Sequence, residues 1–136
     1  TGSCVDNYRS DLTRTFSFGE PTRELEKIHG IVAAAQRAAI EAIKPGVTCE
    51  AVDEAARSVI EDAGYGEFFF HRTGHGLGLD VHEPPYLVKG DKTVLEPGMV
   101  VTVEPGIYLP GVLGVRIEDD IAVTENGHEI LGHGAT

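Results

Sequence analysis

Four separated segments of this chain concentrate the side chains that bind cations. They are YRSDLTRT (residues 8–15), HRTGHGLGLDVHE (71–83), VEPG (103–106) and VRIEDD (115–120). Each offers carboxylates or imidazoles on a stretch that reads as strand or tight turn. One carboxylate cluster in water is common, but four such segments in one chain point to a two-metal hydrolytic site. Side chains alternate along a strand, so Arg116, Glu118 and Asp120 fall on one face, and Glu104 shares a face with Thr102. Two strands ending in carboxylates can converge on one point of a sheet. Glu104 and Glu118 are embedded in apolar sequence, where a carboxylate is costly unless it is paired or metal-bound. Salt bridges from Arg116 or Arg14 would also neutralise Glu104 and Glu118, and the residues alone leave both readings open.

His75 lies between Gly74 and Gly76, which let the backbone come close to a site. His71 precedes it and His82 follows, but not at the His-Glu-x-x-His spacing of a zinc-protease helix. His82-Glu83-Pro84-Pro85 cannot extend as a helix. The segment reads instead as a glycine-rich strand and turn that presents several imidazoles to one cavity. Imidazole mixed with carboxylate suits Mn, Co, Fe or Zn better than Ca or Mg. His29, His128 and His133 read as structural, and Cys4 as a packing residue.

The elements that must position these groups are legible in outline. Residues 1–18 read as a β-hairpin or its second half, ended by Gly19-Glu20-Pro21-Thr22. Ile28, Ile31, Val32, Ala35, Ala39 and Ile43 recur at helical spacing, which predicts a helix from about Arg23 to Lys44, stopped by Pro45-Gly46. Thr48 is placed to cap a second helix, with Glu50, Asp53 and Glu54 near its positive end and Gly64 at its C′ position. Beyond Gly66 the texture changes to short strands and Gly/Pro turns. Met99 to Val103 reads as a buried strand and Gly114 to Thr124 as another. Glu125-Asn126-Gly127-His128 is a hairpin signal leading into Glu129-Ile130-Leu131. No linker, repeat or low-complexity tract is evident. The expected fold is α+β, with two helices against a curved antiparallel sheet.

With 136 residues, 41% hydrophobic and 24% charged, the chain can bury a real core. A formal charge of −11, with no basic stripe, argues against a nucleic-acid or anionic-membrane partner. Most of that charge is a solvated surface; the rest fits a carboxylate cluster neutralised by cations. Two cysteines make neither a disulfide framework nor a Cys-rich zinc site, and they fit a reducing, cytoplasmic location. No apolar run approaches a membrane span and no signal peptide is in view. The chain starts at Thr1 without an initiator Met, which leaves targeting open.

At the four segments the chain resembles the creatinase, prolidase and aminopeptidase P family of pita-bread metallopeptidases, relatives of the methionine aminopeptidases. The resemblance covers nearly all of the chain, in order. It implies a dinuclear site with ligands Asp, Asp, His, Glu and Glu, of which the last four match Asp11, His75, Glu104 and Glu118. By the same resemblance Asp11 and Glu118 bridge two ions, while His75 and Glu104 bind one of them. His82 and His71 contact substrate and help stabilise the tetrahedral intermediate, Arg116 shapes the pocket, and Glu104 doubles as general base. The implied reaction is metal-assisted hydrolysis of Xaa-Pro bonds in a proline-containing peptide. The VRIEDD and VEPGIY segments are more similar to prolidase and aminopeptidase P than to methionine aminopeptidase, the enzymatic alternative. A non-catalytic binding module of the same fold is the other alternative.

One position departs from the family pattern. The first Asp ligand belongs to an Asp-x-Gly motif whose glycine is matched by Gly2, so the aspartate would fall one position before Thr1. The expectation is that residues 1–136 are the C-terminal portion of a catalytic domain truncated on its N-terminal side, a partial pita-bread fold. Of the two divalent ions of an intact enzyme, Mn first among Mn, Co, Zn and Fe, at most one would then bind tightly here. The chain is also expected to form a homodimer or to associate with the missing half.

Overall fold

The structure is a computed structural model and describes residues 1–132; His133, read above as structural, lies outside them. Helix α1 (Arg23–Ala42) starts where the side chain of Thr22 accepts a hydrogen bond from the Leu25 N–H at 3.2 Å, with Glu24 and Glu26 in its first turn. Its apolar stripe buries Ile28, Val32, Ala35, Ala39 and Ile40 completely or nearly so. The helix ends at Ala42, two residues before the expected Lys44, with Ile43 already extended. Pro45 disfavours helical backbone in the residue before it, so the chain leaves the helix early.

Helix α2 (Cys49–Asp62) begins after Thr48, as expected, but the Thr48 hydroxyl makes no capping bond. The loop at residues 91–93 takes that role: its Thr93 and Asp91 carbonyls accept the N–H groups of Cys49 and Glu50 at 2.9 and 2.8 Å. Asp53 is not a solvated charge at the positive helix end. It is 1% exposed and paired with Arg57. Gly64 takes φ +84° just past the helix.

Strands β1 (Gly2–Val5) and β2 (Tyr8–Asp11) form a hairpin turned at Asp6 and Asn7, both at positive φ, the backbone such a tight turn requires. The main sheet is antiparallel with strand order β4-β3-β5-β8-β9: β3 (Gly74–Gly76), β4 (Glu83–Leu87), β5 (Val100–Val103), β8 (Asp119–Thr124) and β9 (Gly127–Ile130). A separate hairpin joins β6 (Gly106–Leu109) to β7 (Leu113–Arg116). The expected strand from Gly114 to Thr124 is therefore two strands in two sheets. At Ile117-Glu118 the chain leaves β6 and joins β5, and Glu118 pairs through its backbone with Thr13, its N–H donating to the Thr13 carbonyl at 3.0 Å.

The two helices pack on each other; α1 also lies against β5, β6 and β7, and α2 against β4. Phe69, Leu87, Val101, Val103, Ile107, Val115 and Ile121 complete the core from the strand side. Cys49 is buried in it, whereas Cys4, expected to pack, is exposed on β1. The architecture is the α+β one expected, with three antiparallel sheets among the described residues instead of one. Among the described residues no helix is long and apolar enough to cross a membrane.

Candidate active site and metal centre

His75 sits at the middle of β3 and is 1% exposed. Its neighbours must be glycine: a Cβ at Gly74 would lie 1.8 Å from the Thr102 carbonyl oxygen, and one at Gly76 2.4 Å from that of Pro84. The close approach seats β3 between β4 and β5. Its backbone N–H donates to Thr102 Oγ1 at 3.1 Å, and Nδ1 lies 2.9 Å from the Gly76 carbonyl. A carbonyl only accepts, so Nδ1 carries the proton and donates. Nε2 then faces Glu104 Oε1 at 3.2 Å. A lone pair opposed to a carboxylate oxygen is repulsive unless a proton or a cation lies between them. Burial works against a charged His75, but hydrogen bonds to Glu104 and Gly76 outweigh it and hold its pKa above the ordinary value.

Glu104 follows the end of β5, fixed by its N–H donating to the Thr73 carbonyl at 2.7 Å. Burial opposes its ionisation, yet the His75 hydrogen bond and the charges of His75, His71 and Arg116 hold its pKa below the usual value. Glu118 is 1% exposed and accepts a hydrogen bond from the Thr13 hydroxyl. Burial, with Glu104 and Asp11 nearby, pushes its pKa up to about 7 in spite of that bond and of Arg116. The position demands more positive charge than the protein supplies. Arg14 donates to the Glu118 backbone carbonyl and to Asp119 Oδ1, each at 2.7 Å, while Arg116 Nε stands 4.0 Å from Glu104 Oε2.

The four residues matched as ligands meet in two overlapping groups. His75, Glu104 and Glu118 have ligand atoms within 4.8 Å of one another, and so do Asp11, His75 and His82. His75 belongs to both. His82, assigned by resemblance to substrate contact, is exposed, and its ring centroid lies 4.3 Å from that of His75. A mixed imidazole and carboxylate set of this size fits a borderline divalent ion. The unmet charge demand at Glu118 and the His75–Glu104 opposition both point the same way.

Beside the groups opens a pocket of about 470 Å³ lined by His71, Arg72, His82, Glu104 and Arg116. His71 Nδ1 lies 2.7 Å from the Arg72 carbonyl, so it donates there and Nε2 accepts from the Tyr108 hydroxyl at 2.9 Å. Arg116 reaches the same hydroxyl at 3.5 Å and Thr13 Oγ1 at 3.3 Å. All seven residues singled out from the sequence, Asp11, His71, His75, His82, Glu104, Arg116 and Glu118, border one region.

Sequence reasoning passed over three others. Tyr108 lies in the VEPGIY segment, but nothing in the pattern links it to His71. Asp120 was part of the VRIEDD segment and received no role. It is 4% exposed, its Oδ2 accepts the Asp11 N–H at 3.1 Å, and its Oδ1 has no hydrogen-bond partner among the described residues. Burial first, then Asp11 and Asp119, push its pKa up to about 6. Thr102, opposite Asp120 in the ladder, donates to Glu104 Oε1 at 3.3 Å and accepts from the His75 N–H.

Comparison with known proteins agrees with this geometry. Residues 1–125 match Metallopeptidase family M24. The chain belongs to that family. An uncharacterized peptidase of Staphylococcus aureus (strain USA300) is 53% identical over 132 residues, covering 97% of this chain and 38% of that protein. Among solved structures, prolidase from Pyrococcus furiosus superposes with a TM-score of 0.97 at 47% identity, covering 99% of this chain and 40% of that one. The Xaa-Pro dipeptidase from Bacillus anthracis gives 0.93 at 52% identity, over 96% of this chain and 37% of its own. The chain thus spans about two fifths of the length of the M24 relatives it matches. Membership of M24 brings with it the use of a divalent metal.

Proposed function

We propose that this M24 chain serves metal-dependent hydrolysis of Xaa-Pro peptide bonds. The observation that carries the reading is the pair of ligand groups sharing buried His75 beside a pocket walled by His71, His82 and Arg116. Solved relatives that carry the names prolidase and Xaa-Pro dipeptidase support the choice of bond.

Asp11, His75, Glu104 and Glu118 would hold the divalent ions, which supply Lewis acidity and lower the pKa of water toward neutrality. The chain's own residues supply the rest. Glu104, ionised at neutral pH, accepts the proton of the attacking water as the water oxygen bonds to the scissile carbonyl carbon. The same carboxyl then delivers that proton to the proline nitrogen as the C–N bond breaks. His82, exposed at the pocket rim, donates to the developing oxyanion. His71, held by the Tyr108 hydroxyl, and Arg116 orient the peptide across the pocket.

The test is peptide cleavage by the full-length protein after loading with Mn²⁺. Release of proline from an Xaa-Pro dipeptide supports the reading. Cleavage of Met-Ala-Ser in its place would move the assignment to methionine aminopeptidase. Absence of both activities, with no metal retained, would leave a binding module.

A further inference from the structure

Arg57 and Asp53 lie one turn apart on α2, on the helix face turned toward residues 69–73. The guanidinium forks onto the carboxylate, Nε to Oδ2 and Nη2 to Oδ1, each at 2.9 Å. Its outer edge donates to two backbone carbonyls of the segment, Nη1 to Phe69 and Nη2 to His71, each at 3.0 Å, and it stacks 4.2 Å from the Phe69 ring centroid. Asp53 Oδ1 also accepts the Thr73 hydroxyl at 2.7 Å. Thr73 in turn receives the Glu104 N–H on its carbonyl at 2.7 Å. One buried ion pair thus grips the backbone that carries His71 and, through one residue, the backbone of Glu104.

We propose that the Asp53–Arg57 pair is a positioning clamp that sets the orientation of His71 and of Glu104; the roles of those two residues rest on the peptidase reading above. A buried ion pair is poor value for stability alone, since apolar replacements of similar volume are often as stable. Apolar side chains would keep α2 at its distance from the segment. They would not fix the peptide planes. Arg57 fixes the plane between His71 and Arg72 through the His71 carbonyl, and that plane leads directly into the Arg72–Thr73 plane, whose carbonyl holds one end of the His71 ring while Tyr108 holds the other. Rotation of that plane turns the ring away from the pocket. Only a planar group with donors on both edges can hold the carboxylate and two carbonyls together, so lysine cannot substitute.

The experiment compares the Mn²⁺-loaded full-length protein with Arg57→Lys and Thr73→Val, with folding checked by circular dichroism. The expected result for folded Arg57→Lys is a fall in kcat on an Xaa-Pro dipeptide of about tenfold to a hundredfold, the scale of a misplaced group, with a smaller change in KM. Its metal content should match the parent, and in the metal-free protein, where no paramagnetic Mn²⁺ broadens the spectrum, the His71 imidazole signals in a long-range ¹H–¹⁵N spectrum should shift. Thr73→Val should lower kcat while leaving the His71 signals in place, because it cuts only the branch to Glu104. Folded Arg57→Lys with parental kcat and parental His71 signals would overturn the clamp. If Arg57→Lys does not fold, Asp53→Asn replaces it with the same criteria, and parental kcat in Thr73→Val overturns the Glu104 branch. If the parent protein itself cleaves no Xaa-Pro bond, the peptidase reading fails separately. The clamp is then decided by the His71 signals alone.

Discussion

Replacing Glu118 by glutamine should stabilise the metal-free protein at high pH while weakening its hold on metal. The carboxyl is 1% exposed and its pKa lies at about 7, raised from 4.5 chiefly by burial. A carboxyl whose folded pKa is raised binds more protons folded than unfolded between the two values. Stability is therefore lost as pH rises through that window, the reverse of ordinary acid unfolding. Linkage over these two pKa values gives a penalty of about 1 kcal/mol at about pH 5 and about 3 kcal/mol at about pH 8. Glutamine removes the penalty and adds a fixed cost for its amide, which cancels when the two pH values are compared. Asp120, at about 6, titrates in both proteins and cancels as well. Urea unfolding with chelator present should show Glu118→Gln gaining about 2 kcal/mol on the parent between pH 5 and 8. With Mn²⁺ at about a thousandfold excess over the parent's Kd the order should invert, because the parent then gains about 4 kcal/mol from binding and the variant, which holds metal more weakly, gains less. A pH-independent difference between the two proteins would refute the assignment of an uncompensated buried charge to Glu118.

Three further outcomes are expected. His75 belongs to both ligand groups, so His75→Ala should weaken Mn²⁺ binding by about a hundredfold or more in calorimetry, at or beyond the range seen for ligand-supporting residues. Cys49 is fully buried and its thiol pKa is pushed up to about 11 by burial and by Asp91. A disulfide reagent at about pH 8 should therefore modify only Cys4 in the native chain, and both thiols once the chain is unfolded in urea. Gly74→Ala should cost about 3 kcal/mol or more in urea unfolding, at the upper end of overpacking, because the new methyl would meet the Thr102 carbonyl backbone and not a flexible side chain.

The residue types at the site were legible because each carried a local signal: a glycine on both sides of His75, and apolar sequence around Glu104 and Glu118. The helices were legible through spacing, apart from the end of α1 and the capping of α2. Capping passed to the Asp91 and Thr93 carbonyls, a contact between segments far apart in sequence. The division of residues 113–124 between two sheets was not legible, since the types of residue in a stretch do not say which partner each part takes. Asp53 misled for the same reason. As the fifth residue of a helix, an acid reads as a complement to the dipole, and only the fold brings Arg57, Thr73 and the core around it. The convergence of Asp11 and His82 on His75 likewise belongs to tertiary structure.

The hairpin of β6 and β7 lies between Glu104 and Glu118 in the sequence and begins and ends beside them. It carries Arg116, which lines the pocket, and Tyr108, which bonds to Arg116 and His71, and it turns back at an exposed tip around Gly111 and Val112. The ligands stand at its two feet, anchored to other elements: Glu104 by the Thr73 carbonyl and Glu118 by Thr13. Ile107 and Val115 tie the hairpin to the core, so its exposed tip is the part free to change. On the peptidase reading proposed above, the length of that tip would alter which peptides are accepted, while the feet keep Glu104 and Glu118 in place. On that reading selectivity and chemistry would occupy adjacent stretches of the same short run of chain, and the tip gives evolution, or a protein engineer, a place to alter one without rebuilding the other.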